Sequence, residues 1–318
     1  MKKFICLLFA SAMLFAGCKK EEENNNQPDP VPNPNDKPTL FVSTEPQNSN
    51  VLIEELTGIG CQYCPLAHKL CDELVAANPG KIFAYCIHSG SYATGRTPNY
   101  TTADGDSVSI LGVMAGYPSG YINRYQWSLT INGQQGAGFG VPKEAFQTFS
   151  QAILDEQQAM SNVAAKASID KSTRELKVTA QVCFTREPGT TDRYALLVSL
   201  VQNNIKGPQS AGATYYPARW DSTTNQYIHN HMLRAMVGGH KGVELEYKGT
   251  GAENVIEKTF TYTIPQNMGN GDIPAVLEDM EVYCYVSRLV ELTNNKTGYS
   301  FYFPLPVDNV CKAELTFK

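Results

Sequence analysis

Cys61 and Cys64 enclose Gln62 and Tyr63 in a Cys-x-x-Cys that follows an apolar strand pattern, Val51 to Leu56, and opens a helix pattern, Pro65 to Ala77. Two thiols at that spacing can close a disulfide across one helical turn. A thiolate at a helix N-terminus is stabilised by the unpaired amide groups and the dipole there. The pair therefore points to redox exchange, in which an exposed thiol attacks, a second resolves the mixed disulfide, and a nearby group takes the second one's proton. Cys61 is placed to attack and Cys64, one turn inward, to resolve. Glu55 lies on the strand leading into the motif and could reach beneath the helix toward Cys64, where burial would raise its pKa and let it exchange a proton. The competing reading is a strand-end glutamate in solvent, since neighbouring Glu54 shows that acids are tolerated there. Gln62 and Tyr63 supply no cation to stabilise a Cys61 thiolate beyond the helix end, so a moderately oxidising pair is expected.

Other clusters carry less chemistry. Cys64, Ala67, Cys71, Leu74 and Val75 fall on one helical stripe, and Cys86 lies in the next strand. Cys71 and Cys86 are expected to meet under the helix as buried apolar thiols, a disulfide between them being the alternative. Structural zinc usually takes paired Cys-x-x-Cys knuckles, and Cys61, Cys64, Cys71 and Cys86 contain one such pair, so neither metal nor cofactor is expected. His229 and His231 share a face on a strand pattern, but no neighbouring acid or cysteine completes a ligand set. They read as hydrogen-bonding surface or interface residues. His68 reads as a polar helix residue and His88 as a strand-end residue, while Cys183, Cys284 and Cys311 sit among apolar neighbours and read as packing. No phosphate loop, Gly-x-Ser-x-Gly elbow or His-Glu-x-x-His helix appears.

The elements that must position these groups change character along the chain. From Thr39 to Met160 strand and helix patterns alternate: strands at Val51 to Leu56, Lys81 to Ile87 and Ser119 to Asn123, helices at Pro65 to Ala77, Asp106 to Met114 and Lys143 to Met160. That order predicts a parallel or mixed sheet covered on both faces. Ser89 to Gly105 is a long connection, read either as overhanging the active end or as an inert surface loop. After Ser161 the period becomes two, with Leu176, Val178, Ala180, Val182 and Phe184 facing one way. Similar runs occur at Tyr194 to Val201, Thr259 to Ile264, Met280 to Ser287 and Cys311 to Phe317, which predicts a mostly antiparallel, Ig-like β-sandwich. The expected organisation is thus 1–17 export signal, 18–40 tether, 41–160 α/β domain and 161–318 β-sandwich domain.

The signal is read from Lys2 and Lys3, the apolar run Phe4 to Phe15, and small residues before Cys18. That ending resembles the bacterial lipoprotein signal, which implies that Cys18 carries lipid such as palmitate and becomes the new N-terminus. Residues 19–40, rich in Glu, Asn and Pro, have little to bury and read as an extended tether. Lys19 to Glu23 also resemble a post-cysteine signal for the outer face, a solvated linker being the alternative. Removing two lysines and no acids with the signal moves the formal charge from -5 to -7, which gives no electrostatic reason to bind nucleic acid. Of nine cysteines, losing Cys6 and lipidating Cys18 leaves seven, so at least one has no internal partner.

The run from Val51 to Pro65, Val-Leu-Ile-Glu-Glu-Leu-Thr-Gly-Ile-Gly-Cys-Gln-Tyr-Cys-Pro, resembles the strand and active-site turn of the thioredoxin superfamily. The resemblance implies a thioredoxin-like α/β domain, Glu55 as its buried acid, and Tyr117-Pro118-Ser119-Gly120 as the cis-proline loop that faces the disulfide and shapes a peptide-binding surface. Tyr63, Tyr117 and Pro118 would then contact substrate. Gly60 in place of tryptophan, and Pro65 after the second cysteine, depart from common thioredoxins and leave substrate choice open. A narrower resemblance is to the Omp-twenty-eight-related outer-membrane lipoprotein family. It is carried by Thr57-Gly58 before Cys-x-x-Cys-Pro, Ile87-His88, Gly116 to Gly120, Asn123-Arg124 and His229-Asn230-His231. It implies a thioredoxin-like domain followed by a β-rich domain, without a settled activity.

Two functions remain open. The first is a thiol-disulfide exchange enzyme acting on thiols or disulfides of exported proteins, with an unidentified redox partner, lipid-anchored at the outer membrane and facing the periplasm or the cell surface. The second is a binding or adhesion module in which the cysteines form a static staple.

Overall fold

The computed structural model describes residues 39–293 and 300–318, so the expected signal, the lipidation at Cys18 and the tether up to residue 38 lie outside the described residues. Residues 39–318 group as one compact unit. Strand β1, Val51–Thr57, is buried along its whole length. Its run of Val, Leu and Ile suits a strand covered on both faces, and alternation then decides where each side chain points. Val51 and Ile53 join a core beneath helix α1, Cys64–Ala77, whereas Leu52 and Leu56 join a core on the opposite face. Glu55 therefore faces the helix and Glu54 faces away from it.

β2, Ile82–His88, runs parallel to β1 and pairs Cys86 with Glu55. β3, Ser119–Ile122, runs antiparallel on the other side and pairs Gly120 with Glu55. A short helix α2, Ala103–Ser109, precedes β3, beginning and ending earlier than the sequence pattern suggests. The Thr102 hydroxyl accepts from the Gly105 amide and fixes its start. Helix α3, Phe146–Glu156, packs Phe146 and Ile153 beside α1's core. The sequence pattern runs from Lys143 to Met160. Its first three residues instead form a 3-10 turn, and its last ones are drawn off because Ser161–Asp170 is already strand.

The mixed α/β architecture comprises several sheets. The largest orders its strands as Ser300–Lys312, Met280–Thr293, Tyr194–Gln202, Met232–Val237, β2, β1, β3 and Gly140–Pro142, with Val243–Leu245 also pairing with Tyr194–Gln202. Met232 pairs with Cys86, so the C-terminal strands continue the sheet begun by β1 and β2. A four-stranded sheet, Ile256–Thr263, Glu175–Phe184, Ser161–Asp170 and Glu314–Phe317, contributes the opposing apolar face of a second core. Leu196, Val198 and Leu200 face that core, while Ala195, Leu197 and Val201 face the other way, which explains the unbroken apolar run of that strand. The strands after residue 161 divide mainly between these two sheets, and the larger one is shared with β1, β2 and β3.

The sequence patterns omitted a hairpin, Trp127–Ile131 with Gln134–Gly138. Asn132 and Gly133 join its strands, both at positive φ (52° and 78°), the geometry that an Asn-Gly turn supplies at low cost.

Candidate functional site

Cys61 and Cys64 are joined as a disulfide with their Cα atoms 5.5 Å apart. α1 begins at Cys64, so the pair occupies the turn entering the helix, as the sequence pattern suggests. Cys64 is 0 % exposed and Cys61 only 2 %. The expectation that Cys61 stands exposed is therefore corrected: it lies in the floor of a depression of about 450 Å³ lined by Gly60, Gln62, Tyr63, Tyr92, Tyr117, Ser210 and Ala211.

The burial arises because distant segments close over the turn. The Gly60 amide donates to the Tyr92 carbonyl at 3.0 Å, and the Ser210 amide donates to the Ile59 carbonyl at 2.8 Å. Gln209 Nε2 donates to the Cys61 carbonyl at 2.9 Å and to that of Gly58 at 3.3 Å. A Cβ on Gly58 would lie 2.5 Å from the Tyr92 carbonyl carbon and oxygen, so the close approach of this loop requires glycine. The long Ser89 to Gly105 connection thus reaches the site through Tyr92.

Two aromatic pairs flank the depression. Tyr63, 46 % exposed, meets Tyr215 with ring centroids 5.5 Å apart, and Tyr92 meets Tyr117 at 5.7 Å. The Tyr117 hydroxyl lies 2.7 Å from Ser89 Oγ, which fixes the ring beside the turn. The peptide bond between Tyr117 and Pro118 is cis. Tyr63, Tyr117 and Cys61 are brought together, whereas Pro118 is not among the lining residues.

On the α1 face of β1, Glu55 is 0 % exposed, and neither carboxylate oxygen has a hydrogen bond of standard geometry. The solvent-exposed reading of Glu55 is thereby overturned. His68 is the neighbour that sequence reasoning set aside. It is buried, with Nε2 3.4 Å from Glu55 Oε2 and 2.9 Å from Thr57 Oγ1, and Nδ1 2.9 Å from the Tyr227 hydroxyl. Its signal was available, because position 68 follows Cys64 by one helical turn and shares the stripe with Cys71. Glu55, His68 and Cys86 each offer a metal-ligating atom, all within 4.8 Å of one another. Cys71 and Cys86 are free thiols, and burial, reinforced by the Glu55 charge, pushes both well above the usual thiol range.

The histidines expected at the surface are largely internal. His229 is buried, its ring against His88, Tyr100 and Tyr227. Burial, with the nearby His68, pushes its pKa down to about 3, and burial also holds His88 well below the usual imidazole range. His231 is partly buried between Asp72 and Glu281, 3.5 Å from each. Burial opposes its protonation, but attraction to both carboxylates outweighs it and raises its pKa.

A mixed α/β fold with a cysteine pair closed at a helix start, under a tyrosine-lined depression, defines the class of protein. The family model for outer membrane protein Omp28 matches residues 99–280, more than half of the chain, and the chain belongs to that family, which associates it with the outer membrane. The matched segment includes Tyr117 and Pro118 but begins after the cysteine pair. Among solved structures, HBP35 of Porphyromonas gingivalis is similar in fold, with a TM-score of 0.58 and 15 % identity over 85 % of this chain and 78 % of that one. A crystal structure of an Agrobacterium tumefaciens protein aligns with a TM-score of 0.45 and 9 % identity over 84 % of this chain and 95 % of that one. No curated protein matches the sequence. Among the described residues no helix is long and apolar enough to cross a membrane.

Proposed function

We propose that β1, α1, β2 and β3 form a thioredoxin-like unit and that the protein exchanges disulfides with thiols of exported proteins at the outer membrane. The observation that carries this reading is the Cys61–Cys64 disulfide at the start of α1, with the carboxylate of Glu55 buried beneath the same helix. Reduced, the pair would react in two steps. The Cys61 thiolate attacks a substrate disulfide, forming a mixed disulfide and releasing one substrate thiolate. Cys64 then attacks the Cys61 sulfur, which restores the disulfide present here and releases the second substrate thiol, with Glu55 accepting the Cys64 proton. The substrate gains two electrons, the protein loses two, and the reverse sequence oxidises a dithiol. Tyr63 and Tyr117 would hold the substrate's backbone and side chains over the sulfur, and Pro118 would orient the chain. Lipid on Cys18 would tether the protein, facing the periplasm or the cell surface.

The 2 % exposure of Cys61 favours a second reading, in which the disulfide is a permanent staple and the depression binds a protein or surface ligand without chemistry. Differential alkylation across graded thiol buffers separates the two. Exchange requires Cys61 and Cys64 to become alkylated together at a defined poise while the fold persists. A pair that stays closed at strongly reducing poise, with no thiol-dependent turnover of a peptide disulfide, leaves the binding module.

A further inference from the structure

We propose that Glu55, His68 and Cys86 form a site for a divalent metal ion of the zinc class between α1 and the strands β1 and β2. The three donors come from β1, α1 and β2, are each buried, and converge within 4.8 Å. Register brings Cys86 opposite Glu55 on neighbouring parallel strands, and the alternation of β1 turns Glu55 toward the helix that carries His68. Burying a carboxylate without a well-formed hydrogen bond is costly, and both Glu55 oxygens are in that condition, with His68 Nε2 and the Cys86 thiol as neighbours. A cation removes the cost.

The His68 geometry suits the same conclusion. Its Nδ1 is 2.9 Å from the Tyr227 hydroxyl, the outer partner that a ligating imidazole ordinarily has. With the proton on Nδ1, Nε2 presents a lone pair 3.4 Å from Glu55 Oε2, two acceptors facing each other. Zinc bonds of about 2.0–2.1 Å to nitrogen and oxygen at a tetrahedral angle give an edge of about 3.3–3.4 Å, which is that separation. Thr57 Oγ1, 2.9 Å from Nε2, offers a neutral oxygen for a fourth position. One thiolate and one carboxylate neutralise a divalent charge inside the protein. A sulfur, nitrogen and oxygen set favours zinc or cobalt over magnesium or calcium. Binding would release the Cys86 thiol proton to solvent and would engage Glu55, so a loaded site would withhold it from proton exchange with Cys64.

The test uses the full chain with Cys61 and Cys64 kept as the disulfide, so that those sulfurs cannot ligate. Cobalt(II) titration followed by absorption and elemental analysis is expected to show one ion per chain with a thiolate-to-cobalt band, displaced by equimolar zinc. Cys86→Ser is expected to abolish the band, Glu55→Gln to weaken binding at least tenfold, and Cys284→Ser to leave both unchanged, with circular dichroism reporting that each variant is folded. X-ray absorption on the zinc-loaded wild type needs no variant and is expected to show sulfur at about 2.3 Å beside lighter donors at about 2.0–2.1 Å. Absence of stoichiometric uptake, a shell without sulfur, or uptake that survives both Cys86→Ser and Glu55→Gln overturns the site. Peptide-disulfide turnover measured in chelator is a separate readout, so failure of the exchange reading leaves the metal result standing.

Discussion

Arg124 and Glu54 form a two-pronged ion pair, Nε to Oε2 and Nη2 to Oε1 each at 2.6 Å, with both side chains almost wholly removed from solvent. Arg124 Nη1 also donates to the Pro304 carbonyl at 3.0 Å, and the Tyr85 hydroxyl donates to Glu54, so the pair joins β1 and β2 to the C-terminal strands. Because Glu54 and Glu55 are neighbours in β1, one acid anchors the sheet while the other lies under the helix. Truncating one member of a buried pair strands the other's charge at a cost of about 3–5 kcal/mol. Arg124→Met should lower unfolding free energy by about that amount in a urea titration, and Arg124→Met with Glu54→Leu should recover much of it. Equal stability of Arg124→Met and wild type would mean that the pair contributes nothing.

Gln209 reaches the Cys61–Cys64 turn from far along the chain and donates to the Cys61 and Gly58 carbonyls. Gln209→Ala removes the donor to the Cys61 carbonyl, while the Gly58 carbonyl keeps the Cys61 amide at 2.9 Å, and should cost about 1–3 kcal/mol. It should also speed reduction of the Cys61–Cys64 disulfide by a small-molecule thiol, because the segment that covers the turn is loosened. A reduction rate unchanged from wild type, at confirmed loss of stability, would show that the cover is held elsewhere.

Gly58 makes a sharper probe of the same cover. An added Cβ meets backbone of Tyr92 rather than a side chain that could rotate away. Gly58→Ala should therefore destabilise by about 1–3 kcal/mol, the range for forced overpacking, and should increase Cys61 accessibility to alkylation after reduction. Wild-type melting and alkylation would indicate that the loop shifts freely.

The buried histidines give acid sensitivity a defined sign. His229 has a folded pKa of about 3, against about 6.5 for an unperturbed histidine, so between those values the unfolded chain binds more protons and stability rises with pH. Acidification from about pH 6.5 toward 3 should erode stability, and His229→Gln should flatten that slope by up to about 1.4 kcal/mol per pH unit. His231 acts in the opposite sense. Its pKa is raised, so its contribution is complete below about pH 6.5 and fades as pH rises through the folded value. Urea midpoints measured from pH 4 to 9 for His229→Gln and His231→Gln check the two signs together.

Much of the site's framework was legible in local pattern. The apolar runs of β1 and β2 and the helix start at the cysteines are properties of a few adjacent residues, whereas the strand pattern left Glu55 open between a place beneath α1 and solvent. What escaped depended on distance in sequence. Gln209, Ser210 and Ala211 cover the turn from about 150 residues away, and nothing in their own neighbourhood announces it. The sharing of one sheet by both halves rests on the single Met232 to Cys86 register pair, which no alternation pattern encodes. His68 and the Asn132-Gly133 turn are different cases. Helical spacing from Cys64 and the turn chemistry of Asn-Gly were both readable in the chain.

Trapping the exchange intermediate bears most directly on the proposed activity. With Cys64→Ser the attacking sulfur is retained and the resolving one removed, so incubation with a peptide disulfide should leave a stable mixed disulfide located at Cys61 by non-reducing peptide mapping. Cys61→Ser should trap none. If reduced Cys64→Ser protein, folded by circular dichroism, forms no adduct at Cys61 while small alkylating reagents still reach that thiol, disulfide exchange is contradicted and the pair is a structural staple.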